Sequence, residues 1–177
     1  VDKQYLSVIN LDLPRKVRYK KRKKKQLDTP VPGYRKNRTY RDLLDFLASS
    51  HDSSIVELDV VEGAGGKSGP VLLTLFFRNC SLMLLFLLPG DRRKYVQDVF
   101  DLLLSELGPQ TYSQLFPIIL TDNGSSFLDP SLFEMPHRQD VLTKVFYCDT
   151  MSSWQKGRLE KNHEFIRYIL PKGTSFD

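Results

Sequence analysis

Three acids stand where a carboxylate is costly or conspicuous. Asp59 lies inside the apolar stretch Ile55-Val56-Glu57-Leu58-Asp59-Val60-Val61, Asp122 follows the run Leu115-Phe116-Pro117-Ile118-Ile119-Leu120, and Glu160 sits among Lys156-Gly157-Arg158-Leu159-Glu160-Lys161. A carboxylate taken out of water needs a partner charge or a metal. Clustered carboxylates suit Mg²⁺ or Mn²⁺, hard cations that keep places for water and phosphate oxygens. Two such ions about 3.5–4 Å apart can neutralise both the attacking and the leaving oxygen of a phosphoryl displacement. Without cations the acids would repel one another, so the site is expected to be poorly formed in their absence. Only a fold can bring together acids separated by 63 and then 38 positions.

The elements that would do so can be read from periodicity. Thr39 caps a helix over Tyr40 to Ala48 with Leu43, Leu44 and Leu47 on one side. Period-two alternation marks Ile55 to Glu62 as the first strand, and a glycine-rich turn at 63–69 follows it. Pro70 to Asn79 and Ser81 to Leu88 read as the second and third strands, buried on both faces. Asp91 caps a helix with Val96, Val99, Leu103 and Leu107 inward, ended by Gly108-Pro109. The fourth strand is Leu115 to Leu120, 125–142 is loop-rich, and the fifth strand is Thr143 to Cys148. Ser152 or Ser153 caps a last helix that stops at Pro171-Lys172-Gly173. At about 100° per residue, Phe165, Ile166 and Ile169 form its apolar face, opposite Lys156, Glu160, His163, Glu164 and Arg167. Trp154 and Phe165 read as core, and His163 as a phosphate contact or a solvated surface side chain.

The order strand, strand, strand, helix, strand, strand, helix predicts an α/β fold: a ribonuclease-H-like (retroviral-integrase-like) five-stranded mixed sheet with flanking helices. There the middle of the first strand lies beside the end of the fourth, and Asp59, Asp122 and Glu160 can meet. Glu57 and Glu62 compete with Asp59 on sequence alone. Alternation puts Glu57 on Asp59's face, as an acid that could support the triad from behind, and Glu62 on the other. Glu164 rivals Glu160 from one turn away.

The chain has 177 residues, 41% hydrophobic and 27% charged, with net charge +5 and pI near 9.2, which favours an anionic partner. The excess is local. Arg15, Lys16, Arg18, Lys20, Lys21, Arg22, Lys23, Lys24 and Lys25 form a run without acids that can track a nucleic-acid backbone but specifies no sequence. Residues 1–38 read as a basic arm or linker, 39–54 as a short helix and connection, and 55–177 as the core domain. Cys80 and Cys148 have no metal-type spacing and read as buried free thiols of a reducing compartment. Arg78-Asn79-Cys80-Ser81 breaks the apolar run Val71 to Leu88, so no membrane span is expected, and the absence of a signal peptide suggests a cytoplasmic protein. Gly63-Ala64-Gly65-Gly66-Lys67-Ser68-Gly69 lacks the leading glycine and following helix of a nucleotide-binding loop, and no small-molecule substrate site is legible.

Ile119-Leu120-Thr121-Asp122-Asn123-Gly124-Ser125-Ser126-Phe127, Tyr147-Cys148-Asp149, Ser152-Ser153-Trp154-Gln155-Lys156-Gly157, and Arg167 with Leu170-Pro171-Lys172-Gly173-Thr174-Ser175-Phe176-Asp177, together resemble the integrase-type catalytic core of the IS-thirty family of bacterial insertion-sequence transposases. The resemblance covers about 55–177. It implies an Asp-Asp-Glu triad at Asp59, Asp122 and Glu160 holding two Mg²⁺ or Mn²⁺ ions, with DNA strand cleavage and strand transfer as the activity. It implies DNA ends and target as partners, a homo-oligomer on DNA, a nucleoid-associated location, and a basic residue at Arg167. Lys156, Lys161 and Arg167 would hold terminal phosphates. Lys161 and His163-Glu164 replace residues usual in the family after the glutamate, and no tryptophan accompanies Glu57-Leu58-Asp59. A DNA-binding remnant that does not cut, or a hydrolytic nuclease of the same fold, are the alternative functions.

Overall fold

A computed structural model of the protein describes residues 32–50, 54–134 and 141–176, apart from the side chains of Lys67, Ser153 and Glu160. The basic run Arg15 to Lys25 lies outside the described residues.

Five strands form one sheet: β1 (Ile55–Glu62), β2 (Val71–Phe77), β3 (Leu82–Leu88), β4 (Ile118–Thr121) and β5 (Lys144–Tyr147). Their order is β3-β2-β1-β4-β5. The β1-β2 and β2-β3 pairs are antiparallel, whereas β1-β4 and β4-β5 are parallel. This is the ribonuclease-H-like arrangement, the fold of integrase catalytic cores. Helix α1 (Tyr40–Ser49) and α4 (Gly157–Ile169) cover one face, while α2 (Arg93–Leu115) and the short α3 (Ser131–Glu134) cover the other. Among the described residues no helix is long and apolar enough to cross a membrane.

The main core lies between the sheet and α2. Val56, Leu58, Leu73, Leu75 and Ile119 pack there against Val96, Phe100, Leu104 and Phe116. The Phe100 ring meets Phe133 edge-on at 4.8 Å, and Tyr112 lies 4.9 Å from Phe116. Each such side chain contributes about 1.5–3 kcal/mol by leaving water. Tyr112 and Tyr147 donate their hydroxyls to the Phe133 and Phe127 carbonyls, which pins the segment after β4 to the core. A smaller core joins α1 to β4 and β5 through Leu43, Ile55, Ile118, Leu120, Phe146 and Cys148.

Local signals hold at α1, where Thr39 and Asp42 form a reciprocal capping box. Leu44 departs from expectation by facing solvent. Helix α2 begins after Arg92, which makes no side-chain cap, and Asp91 accepts the Ser126 hydroxyl. The helix breaks at Gly108 (φ 72°) and resumes to Leu115, so β4 starts only at Ile118. Strand β2 is buried throughout, whereas β3 is the sheet's edge and exposes Leu82, Leu85 and Leu87, contrary to the expectation of burial on both faces.

The last helix also departs from its expected face. It is preceded by a 3-10 turn over Ser153–Lys156 rather than a serine cap. Leu159 and Ile166 are buried, but Phe165 is 57% exposed, Ile169 82% and Trp154 70%. The sheet rim under this helix carries Glu57, Asp59 and Thr74, so His163 turns inward beside the buried Leu159 and Ile166. Trp154 rests edge-on against Tyr40 of α1 at 5.8 Å instead of entering the core.

The two thiols differ as well. Cys148 is buried and Cys80, in the turn after β2, is exposed. Burial pushes the Cys148 thiol up to about 12. Because the thiolate is the reactive form, iodoacetamide at pH 8 should modify Cys80 in the native protein and spare Cys148 until unfolding, as read by peptide mass spectrometry.

Candidate active site

Strand β1 pairs with β4 only from Ile55 to Glu57, while its ladder with β2 continues to Glu62. A crevice therefore opens at the carboxyl ends of the parallel strands, the usual ligand position in such sheets. Asp59 stands on β1 just past the parting, and Asp122 follows the last residue of β4.

Each aspartate divides its oxygens between two tasks. Asp59 Oδ1 accepts the Val60 N–H at 2.8 Å, and Asp122 Oδ1 accepts the Gly124 N–H at 2.8 Å. The second oxygens turn to the Lys156 ammonium, 3.0 Å from Asp59 Oδ2 and 3.9 Å from Asp122 Oδ2. Asp-Asn-Gly is thus a strand-ending turn through one oxygen and leaves the other facing the ammonium. Gly124 makes a close approach here: a Cβ would lie 2.9 Å from Asp122 Oδ1 and push that carboxylate out of its present place.

Lys156, expected among the phosphate contacts, is instead buried and donates to the Leu58 carbonyl at 3.1 Å. That carbonyl lies just beyond the β1-β4 ladder, so the ammonium satisfies a group the sheet leaves unpaired. The expectation that the acids repel without cations therefore does not describe this site, where an ammonium links them. Glu57 shares Asp59's face as expected but is fully buried and otherwise engaged: it pairs with Arg78 and accepts the Leu159 N–H at 3.0 Å. Helix α4 has no side-chain cap of its own, and this carboxylate supplies one from β1.

Glu160 follows Leu159 directly in α4, so the Glu57 bond fixes the main chain beside it; its side chain is outside the described residues. Arg167 donates to the Glu62 carbonyl at 2.9 Å, and Lys161 is exposed. His163 is neither a solvated side chain nor turned outward. Its Nε2 lies 3.0 Å from Thr74 Oγ1, whose hydroxyl donates to the Asp59 carbonyl. The contact ties α4 to β2 through the hydroxyl that also reaches the Asp59 carbonyl. Burial pushes this imidazole below its ordinary value, Asp59 opposes the shift, and Lys156 and Arg167 add to it.

Several contacts had no legible signal. Tyr34 donates to Asn123 Oδ1 at 3.2 Å, Asn123 donates to the Cys148 carbonyl at 2.9 Å, and Arg35 pairs with Asp149 at 3.1 Å. The chain from Pro32 is therefore packed on the rim of the crevice within the stretch read as linker. Gln155 holds Asp149 twice, through its N–H and its carboxylate. Beside these groups lies a cleft of about 400 Å³ lined by Asp59, Asp122, Asp149, Met151 and Lys156.

Among solved structures, the chain is similar to the catalytic core domain of BIV integrase. The identity is 14% and the TM-score 0.42, over 64% of this chain and 66% of that one, just under two thirds of its length. No family model matches the chain, and no curated protein does. A likeness at that level transfers no residue roles, and the site rests on its own geometry.

That geometry fits a hard divalent cation. Two carboxylate oxygens, each steadied by a main-chain N–H on its partner oxygen, already converge on one positive charge. Among the described residues no group of three His, Cys, Asp or Glu side chains is placed to hold a metal. The third donor expected from sequence, Glu160, is outside that set.

Proposed function

We propose that this chain is the catalytic core of a DNA transposase of the insertion-sequence kind, with an Asp-Asp-Glu triad of Asp59, Asp122 and Glu160. The observation that carries the reading is the convergence of Asp59 and Asp122 on one cation position at the carboxyl edge of a ribonuclease-H-like sheet. The motif resemblance around Asp122, Gln155-Lys156-Gly157 and Arg167 supports it.

Asp59 and Asp122 would hold Mg²⁺ or Mn²⁺ through their Oδ2 atoms, with Glu160 completing the donor set from α4. Such ions supply charge neutralisation at the attacking and leaving oxygens of a phosphodiester. The protein's own part is positioning. Val60 and Gly124 N–H groups fix the carboxylate planes, Glu57 sets the start of α4, and Thr74 with His163 holds the Asp59 main chain. The same site would cut at an element's end to leave a 3′-hydroxyl and then direct that hydroxyl at a target strand. Lys161, Arg167 and the run Arg15 to Lys25 would hold DNA backbone, with two cores acting on paired ends.

Labelled DNA carrying candidate element ends, incubated with the protein and Mg²⁺ or Mn²⁺, tests this directly. Nicking followed by covalent joining of a 3′-end to a second duplex is expected. Digestion to short products without joining would identify a nuclease, and retention of DNA without cleavage a binding remnant.

A further inference from the structure

Lys156 spends its charge inside the protein. Its side chain is 5% exposed, and its ammonium is met by Asp59 Oδ2, Asp122 Oδ2 and the Leu58 carbonyl. A divalent ion held by the same two aspartate oxygens would need the same space. Like charges a few ångströms apart in a partly dry pocket repel strongly, and both would draw on the same carboxylates. The two cations therefore exclude each other.

The lysine has somewhere to go. Its stem is long and flexible, and its backbone (φ −113°, ψ 32°) lies just outside helix α4, so the side chain can swing without unwinding a turn. The cleft formed with Asp149, Thr150, Met151 and Ser152 opens beside it.

We propose that Lys156 is an internal counter-cation that a divalent ion displaces, so that loading the site turns a buried ammonium out into the cleft, toward a phosphate of the nucleic-acid substrate. This rests on the reading of Asp59 and Asp122 as a cation site. The exchange keeps a positive charge beside the two acids at every stage, a single one from the lysine and then a double one from the ion. It also makes the outward positive charge conditional on metal, so phosphate binding in the cleft follows metal loading.

The test uses the full chain and Mn²⁺ alone, without DNA. Calorimetric titration should show that Lys156→Met binds Mn²⁺ at least about tenfold more tightly than the wild type, because the internal competitor is gone. Acetylation of the wild type by an N-hydroxysuccinimide ester, followed by mass spectrometry, should find Lys156 protected without metal and modified at saturating Mn²⁺. Equal Mn²⁺ affinity in the two proteins, or protection unchanged at saturation, overturns the exchange while leaving the cation site standing. Absence of any Mn²⁺ binding that is lost in Asp59→Asn overturns both. If Lys156→Met does not fold, the labelling of the wild type decides alone.

Discussion

Asp59→Asn and Asp122→Asn should each lower strand transfer by at least about a thousandfold, a barrier increase of ~4 kcal/mol, while differing in their effect on stability. Asparagine keeps the acceptor oxygen that receives the Val60 or Gly124 N–H and removes only the negative charge on the cation side. Loss of activity would then report the charge rather than the turn. The stabilities should separate because the two acids are unequal partners of Lys156. Asp59 is the closer at 3.0 Å and the less exposed, at 21% against 45% for Asp122. Asp59→Asn leaves a buried ammonium short of its main counter-charge and should cost about 1–3 kcal/mol. Asp122→Asn loses a longer, wetter contact worth less than about 1 kcal/mol. Gel assays of joined products and thermal melts of the same samples check both halves. Strand transfer within tenfold of wild type in either variant would remove that residue from the reacting centre.

The parts legible in the sequence were those governed by local rules. Strand β1 has the bounds its alternation predicts, and Thr39 caps α1 as expected, with Asp42 returning the bond. The order of strands and helices gave the sheet, because few topologies accommodate it. Whether a strand is central or at the edge is a different matter. β3 is as apolar as β2, yet at its edge of the sheet Leu82, Leu85 and Leu87 are left exposed, whereas the other edge strand, β5, is covered by α1; periodicity registers neither. The face of α4 differs in part from its expected one for a related reason. A hydrophobicity wheel assumes that the surface beneath a helix is apolar, but here it is the charged end of a sheet. Lys156 and His163 turn inward to Asp59 and Thr74, while Phe165 and Ile169 are left outside.

Long-range pairing was the other blind spot. Glu57 meets Arg78 across 21 residues and the Leu159 N–H across 102, distances over which spacing carries no information. Alternation put it correctly on Asp59's face, yet only the coordinates give it a partner. Tyr34 with Asn123, 89 residues apart, is a similar case. The two aspartates stand differently, since Asp59 and Asp122 are conspicuous as charges in apolar surroundings. What the sequence could not supply was the lysine between them.

Glu57→Ala should be the most destabilising single change among these residues, by about 3–5 kcal/mol. The carboxylate is fully buried, and its removal leaves the Arg78 guanidinium, whose side chain is only 24% exposed, with the Gln155 carbonyl but without a counter-charge, and strands the Leu159 N–H. For a chain of this size that corresponds to a melting point lower by roughly 10 °C. Glu57→Gln retains the shape and one acceptor oxygen, so its loss should be smaller, about 1–3 kcal/mol. A purely global effect would raise hydrogen exchange everywhere in proportion. A bolt between β1 and α4 predicts instead that amides of Leu159 to Ile169 exchange sooner than those of β2, because α4 is released before the sheet opens. Helix α4 and the turn before it carry Glu160 and Lys156, so strand transfer should fall in Glu57→Ala even below its melting point, with Mn²⁺ affinity falling alongside. A melting point within about 2 °C of wild type, or protection lost evenly across the sheet and helix, would show that the final helix is held in place by its apolar contacts at Leu159 and Ile166 and not by the buried charge.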